Sequence, residues 1–114
     1  NFAICGTRGW FFEEERSGQH DEKVFKRELI RLEASLQAAG EKPKIVFLHY
    51  PPANILRDCE PIMNVLKENN ITRCYYGHLH GGAIKGALNG ERYGINFRLV
   101  SADYLDFCPL FIGK

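Results

Sequence analysis

The sequence predicts an α/β fold in which a β-α-β-α-β unit is followed by an antiparallel meander. Three observations support this class: a helical periodicity over residues 25–39, a continuous apolar run at 45–48, and alternating segments after residue 82. The 114 residues are 45% hydrophobic and 25% charged, which is typical of one globular domain spanning 1–114.

The charge balance argues against two classes of partner. Lys and Arg number 15 against 14 Asp and Glu, so the net charge of +1 gives no basis for nucleic-acid or anionic-membrane binding. No apolar run approaches the ~20 residues that a spanning helix needs, and no signal peptide is recognisable. The four cysteines are dispersed in apolar surroundings, which favours free thiols in a reducing, cytoplasmic compartment.

The first half of the chain contains one strand and one long helix. Residues 2–5 read as a short strand ending at Gly6, followed by a loop at 7–10 and a polar excursion at 13–18. A helix is predicted from Asp21 to Ala39, with Gly40 as its left-handed cap. Its apolar side chains recur on one face: Phe25, Leu29, Leu32, Leu36 and Ala39.

The next elements complete the parallel unit. The strand 45–48 stops at His49 because two prolines follow, and proline cannot continue a ladder. A second helix carries Cys59, Ile62, Met63 and Leu66 on one face and closes at Asn69 and Asn70. A third strand, 71–76, then ends at a glycine-rich turn.

The C-terminal part predicts the antiparallel meander. Its strands are Ala83 to Leu88, Gly94 to Ser101 and Phe107 to Ile112. Asn89-Gly90 is a strong hairpin signal between the first two.

Three histidines follow consecutive strands of the predicted sheet. His49 ends the second strand, and His78 and His80 follow the third, flanked by glycines. Because parallel strands end at the same edge, these imidazoles are expected to converge there, and imidazole is a favoured ligand of Zn, Mn, Fe and Ni. The alternative is that each makes ordinary hydrogen bonds. His20 has no such context and is interpreted as a solvated loop residue.

Carboxylates suited to complete the site are scarce. Asp58, Glu60 and Glu68 belong to the helix between the histidines, and nothing in the sequence places Asp103 or Asp106 near them. A two-metal phosphoester site needs bridging carboxylates. The residues therefore predict part of a metal site that lacks its bridging acid.

Two motifs resemble the calcineurin-like metallophosphoesterases. Residues 46–52, with His49 before two prolines, and the Gly-His-x-His sequence at 77–80 look like the last two motifs of that family. The segment from Ile4 to Trp10 onward resembles a bacterial phosphohydrolase branch. The resemblance implies metal-dependent hydrolysis of a phosphomonoester or phosphodiester, with His49 and His78 on one divalent ion (Mn, Fe or Zn) and His80 on a second.

The earlier motifs of that family are missing. Asp-x-His, Gly-Asp-x-x-Asp and Gly-Asn-His-Asp/Glu do not occur, so the chain resembles the C-terminal half of the α/β sandwich, which suits its start in mid-strand at Asn1. The alternative function is a non-catalytic metal-binding or structural half-domain. A structural zinc domain built on the cysteines is disfavoured, since their spacing forms no knuckle.

Residues beside the histidine edge have two interpretations. Arg8 is a candidate phosphate contact, or else forms a surface salt bridge. Trp10, Phe11 and Phe12 either pack in the core or line a substrate pocket.

One sheet face is expected to need a partner. The strand 45–48 is apolar on both faces, while helices cover one. The expected partner is the missing N-terminal half or a second copy in a homodimer; the alternative is a monomer whose C-terminal meander covers that face.

Overall fold

The strands of the computed structural model, which describes residues 1–10 and 18–113, form one five-stranded sheet. Neighbouring strands are parallel except for the last pair, in which β4 runs antiparallel to β5. The α/β class is therefore confirmed. The strands, in the order β1-β2-β3-β5-β4, are β1 (Ala3–Thr7), β2 (Lys44–Leu48), β3 (Arg73–Tyr76), β4 (Gly90–Arg92) and β5 (Ile95–Leu99).

Both helices pack on the same face of this sheet. α1 (Gly18–Ala38) connects β1 to β2, and α2 (Glu60–Glu68) connects β2 to β3. Since both crossovers move one strand along the sheet in the same direction, their shared hand places them on one side. The core between helices and sheet includes Phe25, Leu32, Leu36, Val46, Leu48, Met63, Leu66, Cys74, Tyr76, Phe97 and Leu99.

The largest boundary differences from the sequence prediction in the first half are at the start of α1 and at the end of β1. α1 begins at Gly18 instead of Asp21, so His20 lies exposed in the helix and not in a loop. β1 continues through Gly6 to Thr7 because Gly6 pairs closely with Phe47: a Cβ at this position would lie 1.9 Å from the Phe47 carbonyl oxygen. Only glycine permits that approach between the two backbones.

The predicted strand 83–88 is wrong. Residues Gly81–Gly86 form a 3-10 helix, in which Ala83 donates its N–H to the carbonyl of His80 and Ala87 donates to that of Ile84. Three glycines in six residues weaken any strand here and permit tight i→i+3 turns.

The hairpin turn lies later than predicted. Gly90 of the predicted Asn89-Gly90 turn is the first residue of β4, and the turn between β4 and β5 is formed by Tyr93 and Gly94, at φ values of 56° and 77°. Positive φ at both central residues is the signature of a type I′ turn. The antiparallel part of the sheet is thus one short hairpin, and β5 pairs in parallel with β3.

The predicted strand 107–112 is also wrong. Turns occupy residues 102–107, where Asp106 and Phe107 both have positive φ, and the remaining residues are irregular. Two successive left-handed residues redirect the chain away from any extended ladder. Arg73 donates to the Ile112 carbonyl and to the Tyr75 hydroxyl, so the C-terminal segment contacts β3.

The face opposite the helices is unevenly covered. Ile45 is buried and the Phe47 ring stacks on Tyr75 with centroids 5.2 Å apart, whereas Ile4 on the edge strand β1 is 63% exposed. The predictions made for Phe11, Phe12 and the polar stretch up to Ser17 fall outside the described residues. Within the described ranges, no helix is both long and apolar enough to cross a membrane.

Candidate metal centre

His49 is held where β2 ends by the loop that follows β1. The N–H groups of His49 and Tyr50 both donate to the Arg8 carbonyl, at 3.2 and 2.9 Å. This shared acceptor fixes the two loops together as the chain leaves the sheet. The exposed imidazole of His49 therefore sits at the carboxyl edge, as its position after β2 predicts.

His78 occupies a strained turn immediately after β3. Its φ is 71°, and the Leu79 N–H donates across it to the Gly77 carbonyl at 2.9 Å. An i→i+2 bond around a residue of positive φ is a γ-turn, a rare conformation for a residue with a side chain. The Gly77 N–H donates to the His49 carbonyl at 3.1 Å, which joins this turn to the end of β2.

The two turns bring His49 and His78 into direct contact. His78 Nδ1 lies 3.3 Å from His49 Nε2, and the ring centroids are 5.1 Å apart. The Tyr50 ring packs against both imidazoles, at 4.8 Å from His49 and 4.5 Å from His78. The Tyr50 ring thus packs on one side of the His49–His78 pair.

His80 makes a separate contact. Its Nδ1 lies 2.9 Å from Asp103 Oδ1, while the backbone N–H of Gly81 donates to Asp103 Oδ2 at 2.9 Å. The bond from Gly81 and then that with His80 hold the pKa of Asp103 below its ordinary value. The Asp103 carboxylate is therefore ionised at neutral pH.

The structure brings together two of the three predicted ligands in one contact. Within residues 1–10 and 18–113, no group of three or more His, Cys, Asp or Glu side chains is arranged to hold one metal ion. His80 follows the same strand as His78 but is hydrogen-bonded to Asp103 instead of the imidazole pair. The histidines thus form a pair and a neighbouring His–Asp contact.

The side chain of Arg8 makes both an ion pair and a cation–π contact. Its Nη2 is 3.8 Å from Glu28 Oε2, and its guanidinium lies 4.6 Å from the Trp10 ring centroid. Trp10 is partly buried against the core and its Nε1 donates to Asp21. The salt-bridge interpretation of Arg8 and the core interpretation of Trp10 thus both have contacts that support them.

The acids between the histidines lie elsewhere. Asp58 pairs with Arg92 at 2.6 Å and accepts from the Tyr93 hydroxyl, which ties the loop before α2 to the β4–β5 hairpin. Glu60 and Glu68 are at the two ends of α2 and exposed. Asp106, at positive φ, donates its backbone N–H to the Asp103 carbonyl.

The position of Asp103 beside His80 could not be predicted from the sequence. It lies 23 positions after His80 in a loop without periodicity. Its position follows from the parallel pairing of β5 with β3, which makes both strands end at the same edge. No protein-family model, curated protein or solved structure matches this chain.

Proposed function

We propose that this chain supplies the last histidine ligands of a metal-dependent phosphoester hydrolase of the calcineurin-like metallophosphoesterase type. His49 and His78 bind one divalent cation and His80 contributes to a second. The cations are Mn, Fe or Zn, and the substrate is a phosphomonoester or phosphodiester. The main support is the contact between His49 and His78 at the carboxyl ends of the parallel strands β2 and β3.

The separation of the two imidazole nitrogens fits a shared cation. Two nitrogens bound at ~2.0–2.1 Å to one tetrahedral ion lie about 3.3 Å apart. The distance between His78 Nδ1 and His49 Nε2 is 3.3 Å. If the proton between them moved to the other nitrogen of its own ring, both facing nitrogens would carry lone pairs at the separation that one metal ion requires.

The residues at the histidine edge have different parts in this proposal. When bound, the cations lower the pKa of a water molecule and stabilise the charge that develops on phosphate. His49 and His78 would hold one cation, and the Tyr50 ring packs against both imidazoles and limits their movement. Arg8, with its side chain 47% exposed, contacts a substrate phosphate from the adjacent loop, and its bond to Glu28 limits its range of positions.

The bridging carboxylate and the remaining ligands come from outside this sequence. We propose that the intact enzyme joins this chain to an N-terminal half that carries the missing motifs, or to a second copy in a homodimer. We also propose a cytoplasmic location, since all four cysteines are free thiols.

A second candidate function is a metal-binding or structural half-domain without catalysis. It is favoured by the lack, in the described part of the chain, of any group of three ligands around one ion. Two imidazoles hold a cation loosely and activate no nucleophile unless a carboxylate completes the site.

Metal titration and turnover distinguish these functions. We expect the 114-residue chain to bind at most one Zn²⁺ or Mn²⁺ ion loosely and to hydrolyse chromogenic phosphomonoesters and phosphodiesters very weakly or not at all. His78→Ala and His49→Ala should abolish binding. His20→Ala is the matched control, because His20 is exposed on α1, and it should bind as the wild type does.

The intact parent provides the positive arm of the same experiment. Its metal-dependent turnover should fall by orders of magnitude in His78→Ala. Binding that survives in the parent without any turnover would favour the half-domain function. Robust turnover by the 114-residue chain that is insensitive to His78→Ala would contradict the proposal.

A further inference from the structure

The carboxylate of Asp103 is bonded through both of its oxygens. Oδ1 accepts from the Tyr104 N–H at 3.0 Å and lies 2.9 Å from His80 Nδ1, and Oδ2 accepts from the Gly81 N–H at 2.9 Å. Two of these partners are backbone amides, so they cannot rotate away. The carboxylate is held in place before any ligand arrives.

We propose that Asp103 is a positioning residue that keeps the proton of His80 on Nδ1 and leaves the lone pair on Nε2 for a divalent cation. An ionised carboxylate can only accept hydrogen bonds, so the proton between Asp103 and a neutral His80 belongs to Nδ1. The identity of the ligand rests on the proposed function above. The tautomer does not, because it follows from the contact itself.

The ring of His80 can serve this role because it is accessible. Its side chain is 62% exposed although one nitrogen is engaged. Carboxylates that accept from the second nitrogen of a metal-binding histidine fix the ring orientation and raise the basicity of the ligand. Asp103 therefore orients His80 by accepting its Nδ1 hydrogen bond, and Asp103 is not itself a metal ligand.

The contact also joins two loops at the edge of the sheet. Asp103 follows β5 and His80 follows β3, and these strands are parallel neighbours. The γ-turn at His78 lies two residues before His80. Asp103 thus restrains the loop that carries both histidines of the 77–80 motif.

The tautomer is measured by ¹⁵N NMR of the metal-free chain, at a pH above the ordinary histidine value of about 6.5. We expect His80 to be the Nδ1–H tautomer in the wild type and to lose this preference in Asp103→Ala and Asp103→Asn. Asp106→Asn is the matched control, since it removes the same charge from the same loop, and it should leave the tautomer unchanged. An Nε2–H tautomer in the wild type overturns the proposal, as does an unchanged tautomer in folded Asp103→Ala.

The second readout is Zn²⁺ affinity by calorimetry on the intact parent. Asp103→Asn should lower the affinity of the site that contains His80 roughly ten- to hundredfold, while Asp106→Asn should not. Unchanged affinity in folded Asp103→Asn overturns the positioning role. If the tautomers follow expectation while even the wild type binds no cation, the proposed function fails and the control of the tautomer by Asp103 stands.

Discussion

The backbone of His78 adopts a conformation that a residue with a side chain avoids. Its φ of 71° lies in the left-handed region, where a Cβ costs roughly 1–2 kcal/mol relative to glycine. Gly77 precedes His78 in the same turn. A second glycine, at position 78, would remove the strain without changing the length of the loop. Histidine at this strained position supplies an imidazole ring that contacts His49, which glycine could not do.

Substitutions at position 78 should separate strain from the loss of the ring. We expect His78→Gly to be about 1–2 kcal/mol more stable than His78→Ala in urea unfolding, because only alanine retains the left-handed strain. Position 80 is the control: His80 has a φ of −135°, so alanine should be more stable than glycine there by about 0.5–1 kcal/mol. Equal stabilities of the two position-78 variants would show that the turn relaxes freely.

β1 and α1 are connected by a buried carboxylate. Glu28 of α1 is 2% exposed; it accepts from the Thr7 hydroxyl at 2.6 Å and from Arg31 Nη1 at 2.9 Å. Burial alone would raise its pKa, but the bonds from Thr7 and Arg31 and the charge of Arg8 outweigh it and lower the pKa. The charged form of Glu28 therefore stabilises the folded state.

The pH dependence of unfolding should show this. A carboxyl whose pKa is lower in the folded state stabilises above its unfolded value of about 4.5, and this contribution is lost as the pH falls through the lower folded pKa. We expect Glu28→Gln to lower the free energy of unfolding by about 1–3 kcal/mol at neutral pH and by less in acid. Glu33→Gln, on the same helix, is the control and should change little. A loss at pH 7 that persists unchanged in strong acid would contradict a role for the charge.

The whole molecule presents two unequal sheet faces. α1 and α2 cover one face, whereas the other has an exposed Ile4 on β1, the edge strand of the sheet among the described residues. An edge strand with an exposed apolar side chain is a site for association. The C-terminal segment contacts Arg73 on β3, which lies two strands away from this edge.

Sedimentation tests the association that this edge predicts. We expect the purified chain to form a dimer at micromolar concentration and Ile4→Lys to shift it toward monomer. Ile30→Lys is the matched control, because Ile30 is 69% exposed on α1, which packs on the other face of the sheet. A wild-type monomer would mean that the chain closes its own second face, and a dimer insensitive to Ile4→Lys would place the interface elsewhere.

Local patterns predicted the elements in which burial is periodic. The spacing of Phe25, Leu32 and Leu36 predicts α1 because only a helix places these side chains on one face. The apolar run in β2 predicts a strand inside a parallel sheet. The same reasoning was wrong at 83–88 and 107–112, where apolar residues occur without a neighbouring strand to pair with.

By itself the sequence determined the α/β class, the long first helix and the ends of the strands that carry His49 and His78, since periodicity and proline act within a few residues. Only the tertiary structure decided that β5 runs parallel to β3 and that Asp103 reaches His80. The alternation in β5 shows which side chains are buried and is the same for either strand direction. The direction of β5 depends on how the chain that precedes it crosses the sheet, and that path depends on the positions of all the other strands.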